Sequence, residues 1–288
     1  MSVKSLLANL GKLLLCVVAY MVGITLGGML ATGLKLQQPP MPEGFDASTA
    51  GLYIILESPL LALVLIGLAR SIAGNFWVRT LMLASLTWIS NSLNNQIEAS
   101  FFGNMASGFA FTIIVFLVPS ILVAAAVALL FPPASKENDI SSALKSFFGH
   151  YSGSGWIWRL GLGAVLFMPI YYFFGLLVIP FTRDFYTQGL YGLQIPPLDQ
   201  LLVILFIRSV LFFLACLPIL IAWRSSRRNL VLYLGLALFY LVGFQALVIA
   251  NWMPWSLRLP HLLEILADEF VYAGALVMLL GVGKPKAV

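Results

Sequence analysis

The chain alternates between long apolar runs and short polar interruptions, and the runs have the length a bilayer demands. A helix rises 1.5 Å per residue, so about 20 apolar residues cross a hydrocarbon core. The first run, Leu13 to Leu34, follows a segment carrying Lys4 and Lys12. It is long and has no convincing small-residue cleavage site, so a retained span is expected rather than a signal peptide. Gly23 and Gly27 within it form a small-xxx-small face suited to close helix packing. A Pro-rich loop with Glu43 and Asp46 leads to the second run, Leu52 to Ala69, in which Pro59 follows Glu57 and Ser58. A third starts near Asn75 and turns polar from Asn91 onward. The fourth, Gly108 to Phe131, carries no ionisable group and ends at Pro132 and Pro133.

The connection over 136–155 is different in kind. Ile140, Leu144, Phe147, Phe148 and Tyr151 are spaced for one face between Lys136 and Lys145, which predicts a short helix lying on the membrane surface. His150 reads as solvated there, and Gly153 to Gly155 as a hinge. Span five follows, Trp156 to Thr182, with Pro169 as its kink and Arg183 and Asp184 at its end. Span six is Leu198 to Trp223 and span seven Leu230 to Ala250, with Gln245 as its deeper polar group. After the Trp-rich NWMPWS, an eighth span begins near Pro260, a residue suited to the first helical position, with Ser256 as its cap. The pattern predicts an all-α integral membrane protein: about eight transmembrane helices in a single polytopic domain, 1–288, plus the interfacial helix.

Composition sharpens this. Of the 288 residues, 61% are hydrophobic and 9% charged, which excludes an ordinary soluble domain. Cys16 and Cys216 both fall in apolar runs with no redox or metal spacing. The net charge of +5 sorts by side. Lys4, Lys12, Arg70, Arg79, Lys136, Lys145, Arg159, Arg224, Arg227, Arg228, Lys284 and Lys286 fall on one side. Only Lys35, Arg183 and Arg258 fall on the other, with Arg208 inside the membrane. That bias predicts both termini on the cytoplasmic face of an inner membrane, and it accounts for the basic residues without nucleic acid. The halves 1–135 and 156–288 also share an order of elements. This suggests two parallel four-span copies, with Glu57 and Arg208 at equivalent depths.

Candidate chemistry lies where polar groups enter the spans, because each ionisable side chain there costs about 2.5 kcal/mol or more and is therefore a site hypothesis. Glu57 sits in span two. Asn91, Asn94, Asn95 and Glu98 recur at i, i+3, i+4 and i+7 in span three, and Arg208 lies near the middle of span six. In span eight, His261, Glu264 and Asp268 share one arc while Glu269 turns away. These nine residues, leaving out Glu269, are the expected binding set, for a transporter- or channel-like protein that takes up a small solute or ion. An alternative is a membrane-embedded enzyme acting on lipid or peptide, with His261, Glu264, Glu57 and Glu98 as candidate metal ligands. HLLE is not HExxH spacing, so neither a catalytic set nor a cofactor is assigned. A third reading is an accessory subunit whose polar faces meet a membrane-protein partner or a second copy. No nucleotide-binding loop is present.

Overall fold

The computed structural model describes residues 3–103, 106–134 and 139–282, so Lys136, Lys284 and Lys286 of the charge bias lie outside the described residues. It consists of helices joined by short loops. In chain order these are α1 (Val3–Gly33), α2 (Ala47–Ala69), α3 (Phe76–Thr87), α4 (Asn94–Phe102), α5 (Phe109–Leu130), α6 (Ile140–Phe148), α7 (Gly153–Val165), α8 (Phe167–Thr187), α9 (Leu198–Ala222), α10 (Arg227–Phe239), α11 (Gln245–Ile249) and α12 (Trp255–Leu279). The widened turn Trp88–Leu93 joins α3 to α4, and Tyr240–Phe244 joins α10 to α11. Both turns are π-helical, with one extra residue per turn, so each helix changes which side chains face inward at midspan.

Among the described residues six helical stretches are long and apolar enough to cross a membrane: α1, α2, α5 with its preceding turn, α7 with α8, α9, and α10 with α11. The chain is a multi-pass helical membrane protein. The other two stretches expected to span, α3 through α4 and α12, are also continuous helices. Their polar residues keep them outside that set, and those residues face inward: Arg79, Asn94 and Gln96 in one, Arg258, Glu264, Asp268 and Glu269 in the other are buried.

Packing follows from small residues and managed prolines. Cys16, Tyr20, Gly23, Gly27 and Ala31 form the buried stripe of α1. A Cβ added at Gly23 would lie 2.3 Å from Pro119 Cα, and one at Gly27 2.2 Å from the Val115 carbonyl oxygen, so α1 and α5 touch backbone to backbone. Pro59 and Pro119 cannot donate to the carbonyls one turn back, yet neither breaks its helix. The hydroxyl of Ser58 donates to the Ile55 carbonyl at 2.9 Å, the one Pro59 leaves open, and Ser120 donates to Phe116 at 2.7 Å beside Pro119. Pro169 does interrupt its span: the chain breaks at Leu166, and Ser209 accepts the freed Phe167 amide at 3.2 Å.

Around this core α5 packs on α1 and α3, α12 packs on α8 and α10, α2 meets α10, and α9 meets α3. Where α2 and α9 end, the two chain segments pair in antiparallel fashion through Ile72 and Trp223: Ala73 N–H donates to Ala222 at 2.8 Å and Arg224 N–H to Ser71 at 2.8 Å. Asn75 then caps α3 by accepting the Val78 amide, and Ser226 caps α10 by accepting the Asn229 amide. Asp46 caps α2, and the Thr49 hydroxyl and Ser48 amide hold its carboxyl below the usual carboxylate range.

Several expected boundaries move. α1 begins at Val3, α2 begins at Ala47, and α8 continues one turn past Arg183 and Asp184 to Thr187. α12 starts at Trp255 behind Pro254, so Pro260 is interior and Ser256 is not the cap. Leu257 and Arg258 amides bond to the Pro254 carbonyl, which starts the helix a turn earlier. α6 turns Ala143 and Phe147 inward rather than the whole expected face, because Phe147 stacks on Trp156 at 4.6 Å; Leu144 and Phe148 stay exposed, and Tyr151 falls beyond the helix. His150 is not simply solvated: Nδ1 meets the Ser146 carbonyl at 2.6 Å, closing the end of α6.

Replacing Gly27 by Leu should destabilise the chain by about 1–3 kcal/mol through overpacking against α5, read as a lower melting temperature in detergent. Gly28→Leu, at a position where an added Cβ meets nothing within 4 Å, should leave the melting temperature unchanged.

Candidate functional site

The two π-helical turns place side-chain amides where α helices alone would not. Asn91 donates its amide to the side-chain oxygen of Gln245, joining the first turn to the start of α11 just past the second, and Gln245 in turn donates to the Tyr20 hydroxyl at 2.7 Å. Asn95 donates to the Leu241 carbonyl at 3.0 Å, within the second π turn. Asn94 is fully buried and points the other way: it donates to the Arg208 carbonyl at 3.3 Å and accepts from Arg208 Nε at 3.1 Å. The face expected over Asn91, Asn94, Asn95 and Glu98 is therefore divided by the register shift, with Asn94 turned to α9.

Arg208 is 1% exposed and held on every side. Nη1 lies 2.7 Å from Glu98 Oε1, an ion-pair distance off the hydrogen-bond axis, and the Tyr171 hydroxyl donates to the same oxygen at 3.3 Å. The rings of Phe167, Tyr171 and Phe212 stand 5.5–5.9 Å from the guanidinium carbon. α9 is thereby tied to α4 and α8 inside apolar surroundings.

On α12 a second chain of polar contacts runs along the helix. His261 Nδ1 meets Glu264 Oε2 at 2.7 Å, and His261 Nε2 meets the Tyr186 hydroxyl at 3.1 Å. α8 passes close to Glu264 at Gly175, where a Cβ would lie in van der Waals contact with Glu264 Oε1 at 3.4 Å. One turn deeper Asp268 is 2% exposed, and its Oδ1 has no hydrogen-bond partner among the described residues. Glu269, expected only to turn away, is 0% exposed and faces Arg208, Cys216 and Tyr272 rather than lipid.

A cavity of about 430 Å³ connects these groups. Asn91, Asn95, Glu98, Arg208, Gln245, His261, Glu264 and Asp268 line it, with Tyr171 and Tyr186 between them. Its mouth is formed where α4, α8 and α11 end and α12 begins, at Gly103, Tyr191, Leu193, Trp252 and Met253. Loops of both chain halves clasp around that end. Asp46 and Asn251 exchange two hydrogen bonds beside the Phe45–Trp252 ring contact, and Gln194 bonds to the carbonyls of Phe101 and Phe102.

Of the nine expected residues, seven line the cavity; Asn94 supports Arg208 from behind, and Glu57 is set apart. Glu57 is buried on α2 beside Tyr240 and Gln245, with neither carboxylate oxygen in hydrogen-bonding geometry. Its neighbour Gln245 lines the cavity, and Glu57 itself does not. The metal candidates do not converge: Glu98 pairs with Arg208, His261 with Glu264, Glu57 lies elsewhere, and among the described residues no three His, Cys, Asp or Glu side chains form a group able to hold a metal ion. Sequence spacing missed Tyr20, Tyr171, Tyr186 and Glu269. Only Glu269 stood out by residue type, whereas tyrosines in an apolar helix look like lipid-facing side chains until their hydroxyl partners are known.

Removing one member of a buried ion pair leaves the other uncompensated, so Arg208→Met should cost about 3–5 kcal/mol. Adding Glu98→Gln to it should recover much of that loss, as measured by thermal unfolding of the single and double variants.

No protein-family model matches this chain, and no curated protein or solved structure matches it.

Proposed function

We propose that this chain is an eight-span membrane protein whose central cavity binds a small solute or ion in a transporter- or channel-like role. The observation that carries this reading is the cavity: a solvent-sized space inside an apolar helix bundle, opening at one end and collecting polar side chains from α4, α9, α11 and α12. Its volume falls within the range of ligand pockets, roughly 300–1,000 Å³. Ionisable groups that face the interior of a membrane bundle mark substrate or ion pathways far more often than they mark the core.

Counting α3 through α4 and α12 as spans is supported by their lengths and by the burial of their polar side chains against the other helices. Eight crossings put both ends of the chain on one side and the cavity mouth on the other. The basic residues Arg70, Arg79, Arg159, Arg224, Arg227 and Arg228 gather at the end away from the mouth, which favours cytoplasmic termini and an outward-facing cavity in an inner membrane.

Two parallel four-span copies are supported by a single offset. The separation between Ile72 and Trp223 also separates Asn75 from Ser226, Asn94 from Gln245, Ser58 from Ser209, Tyr20 from Tyr171, and Glu57 from Arg208. Under that offset the hydrogen bond from Ala73 to Ala222 becomes the one from Arg224 to Ser71, and the helix caps coincide. Arg208 bonded to Asn94 becomes Glu57 beside Gln245. The pairs of packed helices exchange in the same way, α1–α5 with α8–α12 and α3–α5 with α10–α12. An axis along the membrane normal relates such copies. The cavity breaks the symmetry, since the ionisable face of α12 corresponds to an apolar face on α5.

The test is uptake into proteoliposomes. Wild-type protein should accumulate a solute from a mixed labelled panel. Glu264→Gln, or Ala246→Trp, which fills the cavity from its lining, should abolish accumulation while the protein still inserts and purifies normally. Accumulation unchanged in the Ala246→Trp variant would contradict the reading.

A further inference from the structure

We propose that the ligand of this cavity is a small amphipathic organic cation, its ammonium group held by Asp268 and its apolar body by the aromatic wall leading to the mouth. This rests on the cavity being a solute site and specifies what the solute is.

Charge comes first. The carboxylates at and behind the cavity are Glu98, Glu264, Asp268 and Glu269; facing them are Arg208 and His261. Glu98 is committed to Arg208 and the Tyr171 hydroxyl, and Glu264 to His261. Glu269 is sealed behind the wall against Arg208 and does not line the space. Asp268 alone is left: nearly fully buried, lining the cavity, with an oxygen that no side chain or backbone group among the described residues satisfies. A carboxylate in such surroundings needs a positive partner or a proton. An anionic solute would meet Asp268 and Glu264 together, and a neutral one would leave the carboxylate uncompensated.

The walls agree with the charge. Between mouth and floor the cavity is faced by Phe102, Phe116, Tyr171, Tyr186 and Trp252, rings whose faces attract ammonium groups and whose bodies accept apolar ones. Leu257, His261, Glu264 and Asp268 lie successively one turn deeper along α12. At 1.5 Å per residue the path from Leu257 to Asp268 is roughly 16 Å, so the site suits an elongated molecule charged at its inner end.

The experiment is thermal unfolding of the full chain in detergent at neutral pH, titrated with phenethylammonium, with the neutral phenethyl alcohol and with the anion hydrocinnamate. The melting temperature should rise with the concentration of the cation alone. Asp268→Asn should weaken that response by about thirtyfold or more, the penalty for truncating one side of a buried charge pair, and Asp268→Glu should retain part of it. Should Asp268→Asn fail to purify as a single species, the three probes on wild type still decide. Equal or stronger stabilisation by the alcohol or the anion would overturn the cation assignment and leave the solute site standing. No stabilisation by any of the three would mean that protons alone neutralise Asp268, which also overturns the assignment; the uptake comparison with Ala246→Trp then judges the solute site separately.

Discussion

The structure is organised by one constraint: inside a bilayer a buried polar group left without a partner in the protein is costly. Arg208 is where that constraint is tightest. Its guanidinium pairs with Glu98 and hydrogen-bonds through Nε to Asn94 of α4, its backbone carbonyl accepts from Asn94, and three aromatic rings flank it. These contacts join the two halves of the chain at mid-depth, and they fix the wall from which the cavity opens. Arg79 shows the same logic at the other end of the bundle, where it caps the carbonyls of Ala69, Ala128 and Phe131 and so seals the ends of α2 and α5. Arg258 does so beside the mouth, bonding to Leu247 and Val248.

The π-helical turns are the second device. By adding a residue per turn they bring Asn91 to Gln245 and Asn94 to Arg208 from a single helix, which regular α geometry would place on one face. The two clusters that result differ in kind. Around Arg208 charge is balanced by charge; around Glu57 a carboxyl group sits among Tyr20, Tyr240 and Gln245 with no ion-pair partner among the described residues.

Much of this was legible in the sequence. Apolar run length located the helices because the bilayer sets that length, although α1, α2 and α12 begin one to three turns before the expected starts, and the small-xxx-small face of Gly23 and Gly27 does pack as its spacing implied. Of the ionisable residues singled out in the spans, Glu98, Arg208, His261, Glu264 and Asp268 line the cavity and Glu57 does not. What spacing could not supply was rotation. The register change at Trp88–Leu93 moved Asn94 away from Asn91 and Asn95, and nothing in the residue types announces a π turn. The start of α12 moved because Pro254 offers its carbonyl to two amides, making Pro260 interior. The tyrosines that complete the site were invisible, since each matters only through a hydroxyl partner distant in sequence.

Polar residues from several helices surround a space that opens at the end of the bundle away from the start of α1. Cys16 and Cys216 are buried and free, so the native chain offers a silent background for thiol labelling. Ala246→Cys, on the cavity lining, should react with a charged, membrane-impermeant maleimide added to intact cells, while Leu214→Cys, on the outer surface of α9, should not. A cysteine at position 246 that stays unreactive until the protein is denatured would contradict the account.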